Sequence, residues 1–386
     1  MKNRSASTEQ GWHAPRPTAT LVVCLSVSML ALSLCSTALA QSIITFDAPG
    51  SGSTAPGQGT GALSINPTGT IAGYTRDDNW VRHAFLRHTD GSFTIFDAPG
   101  AGTCPPDCSG DAGFGPGTRA FSINPAGTIT GFYSDNSSFV HAYVRAADGT
   151  VTTFSAPDAG TGPYPQGTFP QAMVSINPAG VITGWYVDSS YVFHGFVRGV
   201  EGTITEFDPA GSTFTQPIAI NPAGTITGSY ADAMGAFHAF VRAPNGAITS
   251  FDVPGAVGGT FPSEILPDGA TEGNWVDAAS VNHGFVGLPG AITTFDIAGA
   301  GTDAGQGTLA GANNTSGTIT GFYVDTNNAS HAFVRAKQGG ILTFDAPGAG
   351  TGAFQGTVPF GITPSGAITG FYIDASNVRH GFLRTP

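Results

Sequence analysis

The chain has 386 residues, only 10% of them charged, with 56 Gly, 27 Pro and 27 Phe. A composition this rich in turn formers, yet apolar enough to build a core, predicts many short strands. The net charge of -12 and the lack of a basic patch exclude nucleic acid as a partner, because an acidic surface repels phosphate and has no counterions to release.

In chain order, residues 1–40 come first and stand apart. Lys2, Arg4 and Arg16 precede the uncharged run "TATLVVCLSVSMLALSLCSTALA", which ends on Ala38-Leu39-Ala40. A basic start, an apolar middle and a small-x-small end predict a secretory signal peptide cleaved between Ala40 and Gln41. An uncleaved anchor is the alternative, since about 20 apolar residues span a bilayer. The small residues favour cleavage. Leu34 before Cys35 and Val23 before Cys24 do not suit lipoprotein processing. Cleavage leaves residues 41–386 as one domain with 11 basic and 25 acidic residues, secreted or periplasmic and free of the membrane. Of the four cysteines only Cys104 and Cys108 remain, in "CPPDC". In an oxidising compartment they are candidates for a small-loop disulfide. Zinc would need two further ligands, so no metal site is expected.

The mature chain opens on "SIITFDAPG" (Ser42 to Gly50) and then repeats one unit. A His-Ala/Gly-Phe/Tyr triplet begins at His83, His141, His194, His238, His283, His331 and His380, spaced 58, 53, 44, 45, 48 and 49 residues apart. That period fits a propeller blade. One unit has four pieces: "AFSIN" (Ala120 to Asn124), "TITGFYSD" (Thr128 to Asp135), "HAYVR" (His141 to Arg145) and "TVTTFSAP" (Thr150 to Pro157). Each is β-branched or aromatic and bounded by Gly, Pro, Asn or Asp, so each reads as a strand. The glycines at 69, 127, 180, 224, 269, 317 and 366 end the first turn, where a positive φ suits Gly. The chain closes on three strands, Phe360 to Arg384, without a fourth. The expected fold is all-β: a seven-bladed β-propeller of four-stranded antiparallel blades, closed by the amino-terminal strand pairing with the last blade. Closure removes a free sheet edge.

The triplet, with "INPAGTITGFY" upstream and "ITTFDAPGAGT" downstream, resembles the HAF repeat family of bacterial extracellular proteins. The resemblance covers residues 43–386; it implies export and a repeat fold, and it supplies no catalytic residues. The strand pattern is also similar to that of the virginiamycin B lyases, propellers with G-x-I-T-x-F blocks. That family's catalytic constellation has no match here, so its chemistry is not carried over.

Each repeated histidine follows an aspartate by six residues: Asp77 and His83, Asp135 and His141, Asp188 and His194, Asp232 and His238, Asp277 and His283, Asp325 and His331, Asp374 and His380. Across a hairpin the carboxylate would accept from the imidazole and fix its tautomer, while an Asx-type bond holds the turn. A metal ligand or general base would use the same geometry. A residue present in every unit serves what all units share, so the pairs read as structural. Arginine follows the triplet in six units and Gly287 breaks the series. Aspartate follows phenylalanine in six and Ser155 breaks that one. Arg–Asp bridges between strands would fit, but the exceptions fall in different units.

Function is therefore sought in what does not repeat, above all in the variable connections between units, where recognition usually sits. The fifth unit departs most, with Glu264, Glu272 and Trp275. Two carboxylates beside an aromatic would suit a sugar site; drift of one repeat explains them as well. No nucleotide-binding glycine loop, nucleophile elbow or zinc-protease helix occurs. The reading is a monomeric, cofactor-free, exported binding scaffold for a glycan, polymer or protein. A secreted polysaccharide hydrolase or lyase, or a purely structural surface protein, are the alternatives.

Overall fold

The computed structural model describes residues 42–103, 115–162, 164–170 and 174–386. The expected signal segment, its Ala40–Gln41 cleavage point and the Cys104–Cys108 pair lie outside these residues. All regular structure among the described residues is β.

The first unit runs from an inner strand, Gly59–Ile65, through a second, Ile71–Arg76, and a third, Arg82–Arg87, to an outer strand, Phe93–Phe96. Consecutive strands pair antiparallel. The same order recurs over 117–154, 167–207, 214–251, 259–295 and 307–344. The last unit takes its inner, second and third strands from Gly356–Ile362, Ile368–Ile373 and Arg379–Thr385. Its outer strand comes from the other end of the chain: Ser42–Phe46 pairs antiparallel with Arg379–Thr385, from Ser42 opposite Thr385 to Phe46 opposite Gly381.

The turn between inner and second strands is built by one side chain. Asn124 Oδ1 accepts from the Ala126 and Thr128 amides, both at 3.0 Å, and Gly127 takes the left-handed corner at φ 82°. The Asn124 amide then donates to the Asn177 carbonyl in the next unit, Asn177 to that of Asn221, and Asn221 to that of Leu266. One residue thus shapes its own turn and ties it to the neighbouring one.

The third-strand aromatic supplies the core. Phe85, Tyr143, Phe196, Phe240, Phe285, Phe333 and Phe382 are all fully buried. Each stands directly opposite a second-strand glycine, as Phe240 does Gly228. A Cβ on Gly228 would meet the Gln216 carbonyl oxygen at 2.2 Å and the Phe240 ring at 2.9 Å. The missing side chain therefore admits both the ring and the inner strand. Phe240 in turn meets the outer-strand Phe207 of the preceding unit edge-on, with centroids 6.0 Å apart. That geometry suits the ring quadrupoles.

The arginine after the triplet closes the same joint. Arg242 lies over Phe207, Arg145 over Phe96, Arg198 over Phe154, Arg335 over Phe295 and Arg384 over Phe344, at 4.7 to 4.9 Å from the ring centroids. Arg87 likewise lies over Phe46, which comes from the amino-terminal strand. Desolvation at this joint pushes the Arg87, Arg198, Arg242 and Arg384 guanidinium pKa values down. The strand bridges expected between arginine and aspartate are thus replaced by arginine–phenylalanine stacks between units, a contact worth about 1–2 kcal/mol when shielded from water. Gly287 leaves Phe251 without such a cover among the described residues.

Gly228→Ala is expected to cost about 3 kcal/mol in chemical denaturation, because neither the Gln216 backbone nor the Phe240 ring can give way. Gly340→Ala, where an added Cβ meets nothing within 4 Å, is expected to change stability by less than about 0.5 kcal/mol.

Candidate functional site

The repeated histidines lie along the rim of each unit where the second strand turns into the third. His83 Nδ1 donates to Asp97 at 2.8 Å, His194 to Asp208 at 2.7 Å, His238 to Asp252 at 2.9 Å, His283 to Asp296 at 2.9 Å and His331 to Asp345 at 2.8 Å. His380 donates to Asp47, at 3.0 Å from either oxygen, so this bond joins the two ends of the chain. His141 has Ser155 where the others have this aspartate. The aspartates six residues earlier, Asp77, Asp135, Asp188, Asp232, Asp277, Asp325 and Asp374, stand 3.5 to 3.8 Å from Nε2. Their shorter bonds go to the turn: Asp188 Oδ1 accepts the Ser190 and Val192 amides at 2.8 Å, and the same pair of bonds recurs in Asp232 and Asp374.

An aromatic from the second strand covers the imidazole in most units. Tyr133, Tyr186, Tyr323 and Tyr372 stack on their histidines at 4.9 to 5.1 Å, and Trp275 stacks on His283 at 4.4 Å. In six units an aspartate that follows the outer strand thus holds Nδ1, while the turn aspartate stands farther off, facing Nε2. Among the described residues no group of three or more His, Cys, Asp or Glu side chains is placed to hold a metal ion. The bond to Asp97 raises the His83 pKa, with burial opposing it, and Asp252 does the same for His238.

The fifth-unit candidates separate. Trp275 takes the place held by tyrosine in other units and faces His283. Glu272, three residues earlier, points to the opposite side of the strand and is fully enclosed. It stands opposite Glu264 across the ladder, just past a bulge between Pro262 and Glu264. The expected grouping of two carboxylates beside an aromatic is therefore corrected: strand parity sends the indole away from the carboxyls. Glu264 lines a central cavity of about 190 Å³ to which every unit contributes, the third through Val174 and Ile176. Its Oε2 accepts the Asn313 amide of the sixth unit at 2.5 Å. Burial pushes the Glu264 carboxyl up to about 8. Glu272 is pushed well up by burial first and by Glu264 second.

One grouping has no counterpart in the sequence reading. Tyr74 lies where the first, second and last units meet, among Arg379, Arg82, Arg119 and Arg76. Burial pushes its hydroxyl up, but the four guanidinium groups outweigh that and hold it below the ordinary tyrosine range. Arg379 donates to the Tyr74 hydroxyl at 3.3 Å and lies over Phe371. The signal was available by subtraction: of the 11 basic residues after position 40, six occupy the repeat position, and four of the other five gather here.

On the same side of the molecule, the hairpins display aromatic side chains. Trp80 and Tyr191 occupy the fourth position of the Asp-x5-His turn with φ of 68° and 66°, and Phe354, in the connection before the last unit, has φ 64°. Tyr191 is 55% and Phe354 82% exposed. The equivalent turn position in the fourth unit is Gly235.

No protein-family model matches this sequence, and none of the curated proteins matches it. Solved structures do. A streptogramin B lyase shares 16% identity at a TM-score of 0.52, over 89% of this chain and 97% of the lyase. Virginiamycin B lyase from Staphylococcus aureus shares 13% at 0.52, over 90% of this chain and 99% of its own. A prolyl endopeptidase structure matches at 12% and 0.53, over 84% of this chain and 48% of that one. At these identities the likeness is one of fold: the chain has the all-β propeller architecture.

The titrating groups set a pH profile in metal-free buffer. The raised carboxyls of Glu264 and Glu272 add stability in full below about pH 4.3, their unfolded value, which is lost as pH rises towards the folded values. The raised His83 and His238 add stability below about pH 6.5 that is lost above it. Asp232 and Asp277, lowered by backbone hydrogen bonds, add stability above about pH 3.9 that is lost in acid. Thermal unfolding is expected to peak near about pH 5 and to fall towards pH 8. Glu272→Gln is expected to flatten the alkaline limb, measured as Tm against pH.

Proposed function

We propose that this chain is an exported, non-enzymatic member of the HAF repeat family. In this reading it is a seven-bladed propeller, closed by its amino-terminal strand and working in the periplasm or outside the cell as a monomer. Its hairpin-bearing face binds a glycan or similar polar polymer. The observation that carries the binding reading is the display of two large rings, Tyr191 at a left-handed turn position that other units fill with Ser138, Gly235, Ser280, Asn328 and Asn377, and Phe354 in a connection. Left-handed φ is unfavourable by about 1–2 kcal/mol for a residue with a Cβ, and bulky residues are outliers there. Tyr191 and Phe354 are large and exposed, and exposed rings are the usual platform for a ligand with one apolar face; Trp80 is half-buried under Arg76.

The seven-bladed closure is supported by contacts that treat the amino-terminal strand as any other outer strand: Phe46 under Arg87, and Asp47 on His380. Removing residues 42–47 is expected to lower Tm and to drive self-association through the bared edge of the last unit. An unchanged Tm would count against closure.

A hydrolase or lyase on this scaffold would need carboxylates flanking a bound sugar. Glu264 lines a narrow cavity, and Glu272 lies behind it, fully buried, with no access to a polymer.

Tyr191→Gly and Phe354→Gly test the binding reading. Each is expected to leave Tm unchanged or higher, because Gly suits the backbone there, and to weaken retention on the polysaccharide bound by the native protein by tenfold or more. If no glycan or cell-wall fraction retains the native protein, the binding reading fails. Release of a product would favour the enzyme instead.

A further inference from the structure

Three departures from the repeat meet at one point. Glu264 and Glu272 form one cross-strand pair; the equivalent pairs in other units are Ser64–Ala72, Ser122–Thr130, Ala219–Thr227, Ala312–Thr320 and Gly361–Thr369. Asn313, on the inner strand of the next unit, stands where the others hold Ile65, Ile123, Ile220, Ile265 and Ile362. Two small polar or apolar residues and one isoleucine are thus exchanged for two carboxyls and an amide. Independent drift would scatter such changes over the molecule. Here they touch: Asn313 donates its backbone amide to Glu264, and its side chain adjoins Glu272.

The group is not satisfied internally. Both Glu272 carboxyl oxygens are buried with no hydrogen bond of regular geometry, and so is the Asn313 side-chain nitrogen. Glu272 is fully enclosed and Asn313 is 7% exposed. A buried carboxylate without a partner is strongly unfavourable. Among the residues that wall the central cavity, Glu264 is the only charged one, so no side chain from any other unit supplies a compensating cation there.

We infer that Glu264, Glu272 and the Asn313 side chain form a binding site for one hard divalent cation of the calcium class, on the wall of the central cavity between the fifth and sixth units. Two carboxylates balance the charge of one such ion, and the Asn313 amide, turned to present its oxygen, supplies a neutral third ligand. Calcium takes 6–8 oxygens and accepts water among them. The cavity of about 190 Å³ has room for that water, each molecule occupying about 30 Å³. Glu264 and Asn313 both line the cavity, which gives the ion its entry, and Glu272 closes the site from behind. Because the ion joins strands of two neighbouring units, its effect is to lock that joint.

The full mature chain, dialysed against EDTA and titrated with calcium chloride, tests this. Calorimetry is expected to show a saturable heat near one ion per chain. Tm is expected to rise by on the order of 5 °C at about 10 mM calcium. Glu264→Ser combined with Glu272→Thr installs residues that other units already carry at those positions, so the variant keeps its fold; it is expected to lose both responses. The isosteric Glu272→Gln alone is expected to weaken binding more than tenfold. If calcium, magnesium and manganese all leave the native heat and Tm unmoved, the carboxyls hold a proton between them and the inference is wrong. Equal calcium binding by the Ser/Thr variant would place the ion elsewhere and overturn it as well.

Discussion

The close approach of a third-strand aromatic ring to a second-strand glycine sets the geometry on which everything else rests. With no Cβ at Gly228, the Gln216 carbonyl and the edge of the Phe240 ring both come within what would be contact distance of a side chain. The ring is then left free on its other side to meet Phe207 of the preceding unit, and Arg242 lies over that same phenylalanine. Strand pairing within a unit and packing between units are thus decided by the same few atoms. Because glycine, aromatic and arginine are spaced along adjacent strands, a short sequence motif is enough to specify a joint. Repeating the motif repeats the joint.

Much of this was legible because strands have a period of two and turns a restricted chemistry. The glycine of "NPAG" predicts a left-handed turn corner, and Gly127 takes it at φ 82°; the part played by Asn124, which holds the turn, was not read. The relation of Ser42–Phe46 to the carboxyl-terminal strand was legible from the order of pieces at the two ends of the sequence. What was missed followed from register. The nearer partner of every repeated histidine but His141 is the aspartate that follows the outer strand, one step along the ladder: Ala84 faces Phe96, so His83 faces Asp97. Counting outward from the hairpin would have found it. The break at Ser155 would then have been read as His141 losing a partner.

The fifth unit shows the limit of reading by proximity in sequence. Trp275 is three residues from Glu272, which reads as a cluster but lies on the opposite side of the strand, whereas Glu264 is eight residues away and directly across. The bulge after Pro262 fixes that pairing, and a bulge leaves little trace in composition. The arginines around Tyr74 were hidden differently. They belong to four strands of three units, and their common destination depends on which units are neighbours. Only after the repeated arginines are set aside does the remainder stand out.

Gly287 replaces the arginine that every other unit places over its neighbour's phenylalanine. The seam between the fourth and fifth units therefore lacks one cation–π contact and the buried alkyl stem that comes with it. In an assembly of near-identical joints, local opening is governed by the poorest of them, since the others exceed it by a whole interaction. At that seam Phe251 is held by packing alone, against Val253 and Phe285.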